Sequence, residues 1–399
     1  MDVPKQTGDS RTLIAASTIG FAAGWVLTNV GAIASEIAIS YGVSLATVGL
    51  FTTALFITHM AVQVPGGKAS DRWGARRIGL IGAVVMIAGS AMALPAPDLA
   101  LGLAARFITG IGTGLAFIAG AAYVRSTGGS ATAQGLFGGI SISSAGFALA
   151  IVPLLESGLG WRAPYVSGLA ISLVGLVVLL GAPVDTEHLA RAGKKAAGVL
   201  KDRRLYRLAI LFSASFGLSV ILGNWVVELL ERNADVSNTT AGAIGGLTLL
   251  LGVFSRPLGG WMLRRHPETI RLTVGLSLAA GAVGTLLLMV ADPLWLAGIG
   301  AILVGMGGGI SFSPAFMGAA KTRPDAPAGA IGFVNGSAAM TILIGTPLLG
   351  LSFSLPGDGK LGFAAIAGLW VFALAFLPHT RALGVDSAAA QAKDEEEAA

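Results

Sequence analysis

The chain has 399 residues, 54% hydrophobic and only 12% charged, with a formal net charge of +5 and a mean hydropathy of +0.78. A water-soluble domain carries about 25% charge, so an ordinary cytosolic protein is excluded. The absence of cysteine removes disulfides, zinc–thiolate centres, iron–sulfur clusters and cysteine nucleophiles. The positive balance does not point to nucleic acid, because the basic residues fall in short segments between apolar runs.

A bilayer-crossing helix needs about 20 mostly apolar residues. Twelve such runs follow one another, at 12–34, 47–66, 78–95, 99–124, 135–155, 163–183, 206–229, 241–263, 270–291, 294–317, 328–353 and 361–378. They are too long for barrel strands and lack the period-2 alternation of an outer-membrane protein. The first run is also too long for the apolar part of a secretory signal, so the polar stretch before it is read as an uncleaved N-terminus. The 58 glycines suit close packing of membrane helices. The fold class expected is an all-α membrane protein with 12 transmembrane helices in two pseudo-symmetric six-helix bundles. The bundles are 1–184 and 205–380, joined by a cytoplasmic linker at 185–204 and followed by a disordered cytoplasmic tail at 381–399.

Loop charges set the orientation. With the N-terminus inside, 21 Lys and Arg fall on inner segments and only Arg162, Arg232 and Lys360 on outer ones. The positive-inside rule then puts both termini in the cytoplasm of a cell whose plasma or inner membrane the chain crosses. The two remaining basic residues, Arg106 and Arg256, lie within apolar runs.

The chain also repeats itself. At an offset of 193, YGVSLATVGL (41–50) falls on ADVSNTTAGA (234–243), Gly66 and Gly67 on Gly259 and Gly260, and Gly112 and Gly114 on Gly305 and Gly307. At 194, Pro153-Leu154-Leu155 falls on Pro347-Leu348-Leu349. Two parallel six-helix halves follow, and repeats of this kind place a substrate near the midplane between them.

Between the second and third runs lies GKASDRWGARR (67–77), expected as a turn, with Pro65 and the glycines ending the second span. It resembles the loop signature G-x-L-a-D-r-x-G-r-K/R of the major facilitator superfamily, with Gly67, Asp71, Arg72, Gly74 and Arg76 matching and Ala69 in place of the usual Leu. RFITGIGTG (106–114) resembles the fourth-span motif of that family through Arg106, Gly110, Gly112 and Gly114. AGFALAIVPLL (145–155) has Gly146 but lacks the adjacent proline of the family's antiporter motif. The resemblance implies a carrier working by alternating access, in which Asp71 and its basic neighbours latch the inner ends of the halves. In the same picture Arg106 serves coupling or braces its helix.

Ionisable groups inside a membrane cost about 2.5–3.5 kcal/mol each on insertion scales and are functional candidates by default. Arg256 in the eighth run is the foremost, and the repeat pairs it with Gln63. SRPLGGW (255–261) and VQVPGG (62–67) resemble the corresponding spans of the nitrate/nitrite porters, where an arginine before Pro-x-Gly-Gly contacts the anion. Gln63 stands where that group has a second arginine, and GFVNG (332–336) echoes its asparagine-rich signature only faintly. Nitrate, a cyanate-like ion and a small organic anion remain open. His59, one turn before Gln63, is the candidate carrier of a coupled proton. Asn29, Asn224 and Asn335 are candidate cavity residues, as are Trp25 and Trp225, with interhelix hydrogen bonding as the alternative role for the asparagines. Glu156, Glu228 and Glu231 sit at outer helix ends and are read as solvated.

The function expected is therefore secondary active transport of a small anion, with proton-coupled export of hydrophobic drugs as the alternative. No catalytic set, nucleotide loop or metal cluster is read, so an enzyme is not expected, nor any cofactor. The expected partners are a small-molecule substrate, a coupled proton and the lipid bilayer, without nucleic acid, and the chain is read as a monomer.

Overall fold

The structure is a computed structural model and describes residues 10–43, 45–126, 128–184, 198–236, 238–291 and 293–385. The expected linker, for residues 185–197, and the expected tail, for 386–399, lie outside the described residues. In chain order the helices are α1 (Ser10–Thr28), α2 (Ala34–Tyr41), α3 (Leu45–Ala61), α4 (Gln63–Trp73), α5 (Ala75–Met92), α6 (Leu99–Ser126), α7 (Ala131–Leu159) and α8 (Ala163–Leu180). After the centre of the chain come α9 (Arg203–Phe212), α10 (Leu218–Ala234), α11 (Asn238–Leu250), α12 (Gly252–Arg265), α13 (Ile270–Val290), α14 (Leu294–Ile310), α15 (Phe312–Thr322), α16 (Pro327–Leu351) and α17 (Lys360–Ala375).

Among the described residues there is no strand. Nine helical stretches there are long and apolar enough to cross a bilayer, or ten with the bent pair α3–α4. Each of the twelve apolar runs falls on helix, including the 29-residue α7 and the 16-residue α17. The chain packs as two units, residues 1–197 with 325–332, and residues 198–324 with 333–399.

Helix breaks follow proline chemistry. Proline has no N–H, and its ring clashes with the carbonyl four residues earlier, so it is best placed in a first turn, although Pro257 and Pro347 lie inside α12 and α16. Pro65 is the third residue of α4, and the chain bends by 44° between α3 and α4, at Val62. Pro314 is likewise the third residue of α15, and the helix breaks at Ser311. The expected end of the second span at Pro65 is thus corrected: the proline starts a new helical segment that carries through the two glycines and Asp71 to Trp73. The turn itself is Gly74, whose φ of +92° is open to glycine and strained for any other residue.

Packing within each unit relies on small residues. A Cβ on Gly112 of α6 would lie 2.6 Å from Met86 N of α5, and one on Gly284 of α13 would lie 2.6 Å from Gly300 O of α14. Without a hydrophobic force between helices in lipid, such close backbone approach supplies the dispersion contact that holds them.

The contacts correct the register of the repeat on these helices. Gly110, Gly112 and Gly114 face Leu55, Met86 and His59. The residues with matching contacts in the second unit are Gly305, Gly307 and Gly309, which face Leu247, Ser277 with Gly281, and Ser255 with Arg256. The structural offset there is 195, and the glycine matches at 193 arise because these stretches place glycine at every second position. Pairing of Gln63 with Arg256 is unaffected, since α4 and α12 keep the offset of 193.

Overpacking a tight contact costs about 1–3 kcal/mol. Gly112→Val should therefore lower the melting temperature of the purified protein by several degrees. Gly368→Ala, where an added Cβ meets nothing within 4 Å, should leave it unchanged.

Candidate functional site

In the first unit α4 carries the loop signature. Asp71, 7% exposed, accepts hydrogen bonds from the backbone N–H groups of Ala328 and Gly329, each 3.0 Å long. These are among the first residues of α16, whose opening N–H groups have no partner within the helix and carry its positive dipole end. Gly67 makes the approach possible, because a Cβ there would collide with the carbonyl of Ala328. Four residues earlier, the carbonyl of Gln63 leaves no room for a side chain at Gly332. Arg125 and Asp325 lie within coulombic reach of Asp71.

The other signature residues do separate work. Arg76 donates from Nε to Leu179 O at 3.0 Å and from Nη2 to Leu180 O at 2.6 Å, so it closes the C-terminal end of α8. Arg72 is exposed, its guanidinium 5.5 Å from the Trp73 ring. In the second unit Arg271 donates to Pro378 O at 3.3 Å, just beyond α17, in the same manner as Arg76.

Arg106 is 2% exposed. It donates to Val26 O at 2.8 Å, Leu27 O at 3.3 Å, Phe51 O at 3.5 Å and Asn29 Oδ1 at 3.4 Å. Val26 and Leu27 belong to the last turn of α1, whose carbonyls lack intrahelical partners and favour a cation. Asn29 in turn donates from Nδ2 to Pro164 O at 2.6 Å. Asn29 and Arg106 are therefore tied into one network joining α1, α3, α6 and α8.

His59 is 5% exposed, and its Nδ1 lies 3.0 Å from Thr113 Oγ1 on α6. Gln63 is fully buried, and both amide atoms are without a hydrogen-bond partner among the described residues. A buried amide left so costs a few kcal/mol.

In the second unit Arg256 is 2% exposed. Its Cζ lies 4.8 Å from the ring centroid of Phe216 and 4.5 Å from that of Phe312. Both rings sit at irregular places in their helices. Phe216 is in a π-helical turn, Ser213–Gly217, between α9 and α10, and Phe312 opens α15 after the break at Ser311. π-turns recur at functional sites because they re-aim one side chain. Asn335 is 2% exposed with its Oδ1 unpartnered among the described residues, whereas Asn224 is exposed.

The two tryptophans are bonded within their units, Trp25 Nε1 to Ser167 Oγ at 3.1 Å and Trp225 Nε1 to Thr346 O at 2.8 Å. Glu228 pairs with Arg232 at 2.6 Å near the end of α10. Sequence reasoning missed Thr113, Phe216, Phe312 and the backbone donors of α16. Thr113 had a signal, since it lies two turns beyond Arg106 within the fourth-span motif. The phenylalanines had none, being apolar residues in apolar runs.

The chain has no native cysteine, which makes a single introduced thiol a clean probe. Bonds to a charged group are worth about 1.5–3 kcal/mol each. In an Ala328→Cys background, where the native residue is 1% exposed, Asp71→Asn should speed maleimide labelling at least several-fold. Arg72→Gln, on an exposed side chain without these bonds, should not.

The sequence profile described as Major Facilitator Superfamily matches residues 15–346. The multidrug resistance protein MdtL of Citrobacter koseri is 28% identical over 273 residues, 63% of this chain and 64% of MdtL. The probable nitrate transporter NarT of Staphylococcus epidermidis is 24% identical, over 62% of this chain and 64% of NarT. The nitrite extrusion protein of Bacillus subtilis is 26% identical, over 60% of each chain. The matched part thus spans less than two thirds of these relatives. Among solved structures, the human organic anion transporter MFSD10 superposes with a TM-score of 0.72 at 16% identity, covering 94% of this chain and 100% of that one. The E. coli fucose:proton symporter FucP does so at 0.69 and 15%, covering 92% and 97%. With the profile covering most of the sequence and the all-helical fold matching throughout, this chain belongs to the Major Facilitator Superfamily.

Proposed function

We propose that this protein is a secondary transporter that moves a small anion by alternating access, as a monomer with both termini in the cytoplasm. The observation that carries the reading is Arg256, a guanidinium buried in an apolar span against two aromatic rings. A cation–π contact offsets about 2 kcal/mol when desolvated, but rings do not cancel the charge. The planar fork of a guanidinium suits nitrate, nitrite or a carboxylate.

Gln63, in the first unit, is a further candidate, because its buried amide has both donor and acceptor atoms to offer. Asn335 offers a further unpartnered acceptor, which a protonated or hydroxyl-bearing substrate would satisfy. The exposed Asn224 remains a candidate cavity residue. Gly67, Asp71, Arg72, Gly74 and Arg76 form the gating segment, with the Asp71 bonds as a latch that is broken and remade in each cycle. The relatives named for nitrate and nitrite support an inorganic anion. The likeness to MdtL supports the second reading, export of hydrophobic drugs, with the same gating segment.

The test is thermal stabilisation of the purified protein by nitrate, nitrite, cyanate, small carboxylates and a drug panel. A ligand at a hundredfold excess over its dissociation constant stabilises by about 2.7 kcal/mol. One of the anions should raise the melting temperature, and Arg256→Gln should abolish that rise. Gln63→Leu should weaken it less, since a neutral hydrogen bond is worth about 1 kcal/mol. Stabilisation by drugs alone, or an anion shift that survives Arg256→Gln, would move the exporter reading to the front.

A further inference from the structure

His59 and Thr113 face each other where α3 and α6 touch through their backbones. A Cβ on Gly114 would lie 2.7 Å from His59 O and 3.2 Å from His59 Cα, so the root of the imidazole is held in place. His59 Nδ1 lies 3.0 Å from Thr113 Oγ1, and Thr113 is fully buried. The same hydroxyl lies 3.0 Å from the carbonyl of Gly110.

A hydroxyl has one proton, and a carbonyl can only accept. The Thr113 proton therefore goes to Gly110, and the contact with His59 requires the imidazole to donate from Nδ1. That sets the tautomer: Nδ1 carries the proton and Nε2 the lone pair. Among the described residues no carboxylate takes part. One turn further along stands Gln63, fully buried, with both amide atoms unpartnered among the described residues.

The charged and titratable groups on the elements packed against α3 are few. They are Arg11 on α1, Glu36 and Tyr41 on α2, Lys68, Asp71 and Arg72 on α4, and Arg106, Tyr123 and Arg125 on α6. None of them bonds to His59 among the described residues. Arg106 lies two turns from Thr113, about 10 Å along α6.

We infer that His59 is a proton-binding site that takes its proton on Nε2, and that Thr113 is the positioning residue that holds it in that tautomer. The proton arrives from water as hydronium, forms the second N–H bond of the ring and leaves by the reverse step. Its part in transport rests on the anion reading of Arg256. Coupled transport requires that proton and anion raise one another's affinity by the same factor.

The experiment is nitrogen-15 NMR of the full chain in lipid nanodiscs with labelled histidine. Four histidines are present, and His59→Gln identifies the signal of interest. The wild type should show Nδ1–H with an unprotonated Nε2 at about pH 8 and gain the second proton as the pH is lowered. Thr113→Val should release the lock and populate the Nε2–H form, and Thr113→Ser should restore the wild-type spectrum. A wild-type ring protonated on Nε2, a Thr113→Val spectrum like the wild type, or a ring that takes no second proton as the pH is lowered would each overturn the inference. Adding nitrate should move the His59 titration to higher pH. If the tautomer stands and nitrate moves nothing, the nitrate link is overturned and the proton site is not.

Discussion

The bilayer core offers no water, so every polar group placed there must find a partner in the protein or pay for its absence. Several charged side chains of this chain sit at helix ends, where backbone groups are themselves unpaired. Arg106 closes α1, Arg76 closes α8, Arg271 sits on the carbonyl just after α17, and Asp71 takes the first N–H groups of α16. Cations meet carbonyl ends and the anion meets the amide end, as the helix dipole requires. Arg256, in the second unit, packs against two aromatic faces.

Proline and glycine shape the helices around these groups. Pro65 and Pro314 each open a helical segment directly after a break, and each segment carries a residue of interest, Asp71 in one and Phe312 in the other. The carbonyl that Pro314 leaves without a donor, at Ile310, is the atom a side chain on Gly259 would strike. Gly67 and Gly332 act alike around Gln63 and Ala328. Glycine content here reflects distances between backbones more than flexibility.

The two halves share an architecture and diverge in chemistry. Gln63 and Arg256 hold equivalent places, an uncharged amide in one half and a guanidinium in the other. Under the same offset His59 faces the position of Gly252, so an imidazole in the first half answers to no side chain in the second. A membrane that penalises each buried charge explains why a pair of guanidiniums is not the only workable arrangement. One charge with a neutral amide costs less to insert than two charges.

Span positions, the duplicated plan and the loop signature were legible in the residues because each rests on local physics. A run of apolar side chains, the placement of lysine and arginine, and the spacing of Gly67, Asp71 and Gly74 need no knowledge of neighbours. Arg256, Gln63 and His59 could be singled out for the same reason, since a polar residue in an apolar run is conspicuous by its cost. What the sequence could not supply was contact. That Asp71 meets Ala328 and Gly329, that Thr113 holds His59, and that Phe216 and Phe312 lie on Arg256 joins residues far apart in the chain or made of apolar atoms like any others. Even the repeat was off by two residues on its most glycine-rich helices. Identity alone cannot register a pattern that matches itself at several offsets, and only the backbone approaches in the fold decide which glycine faces which helix.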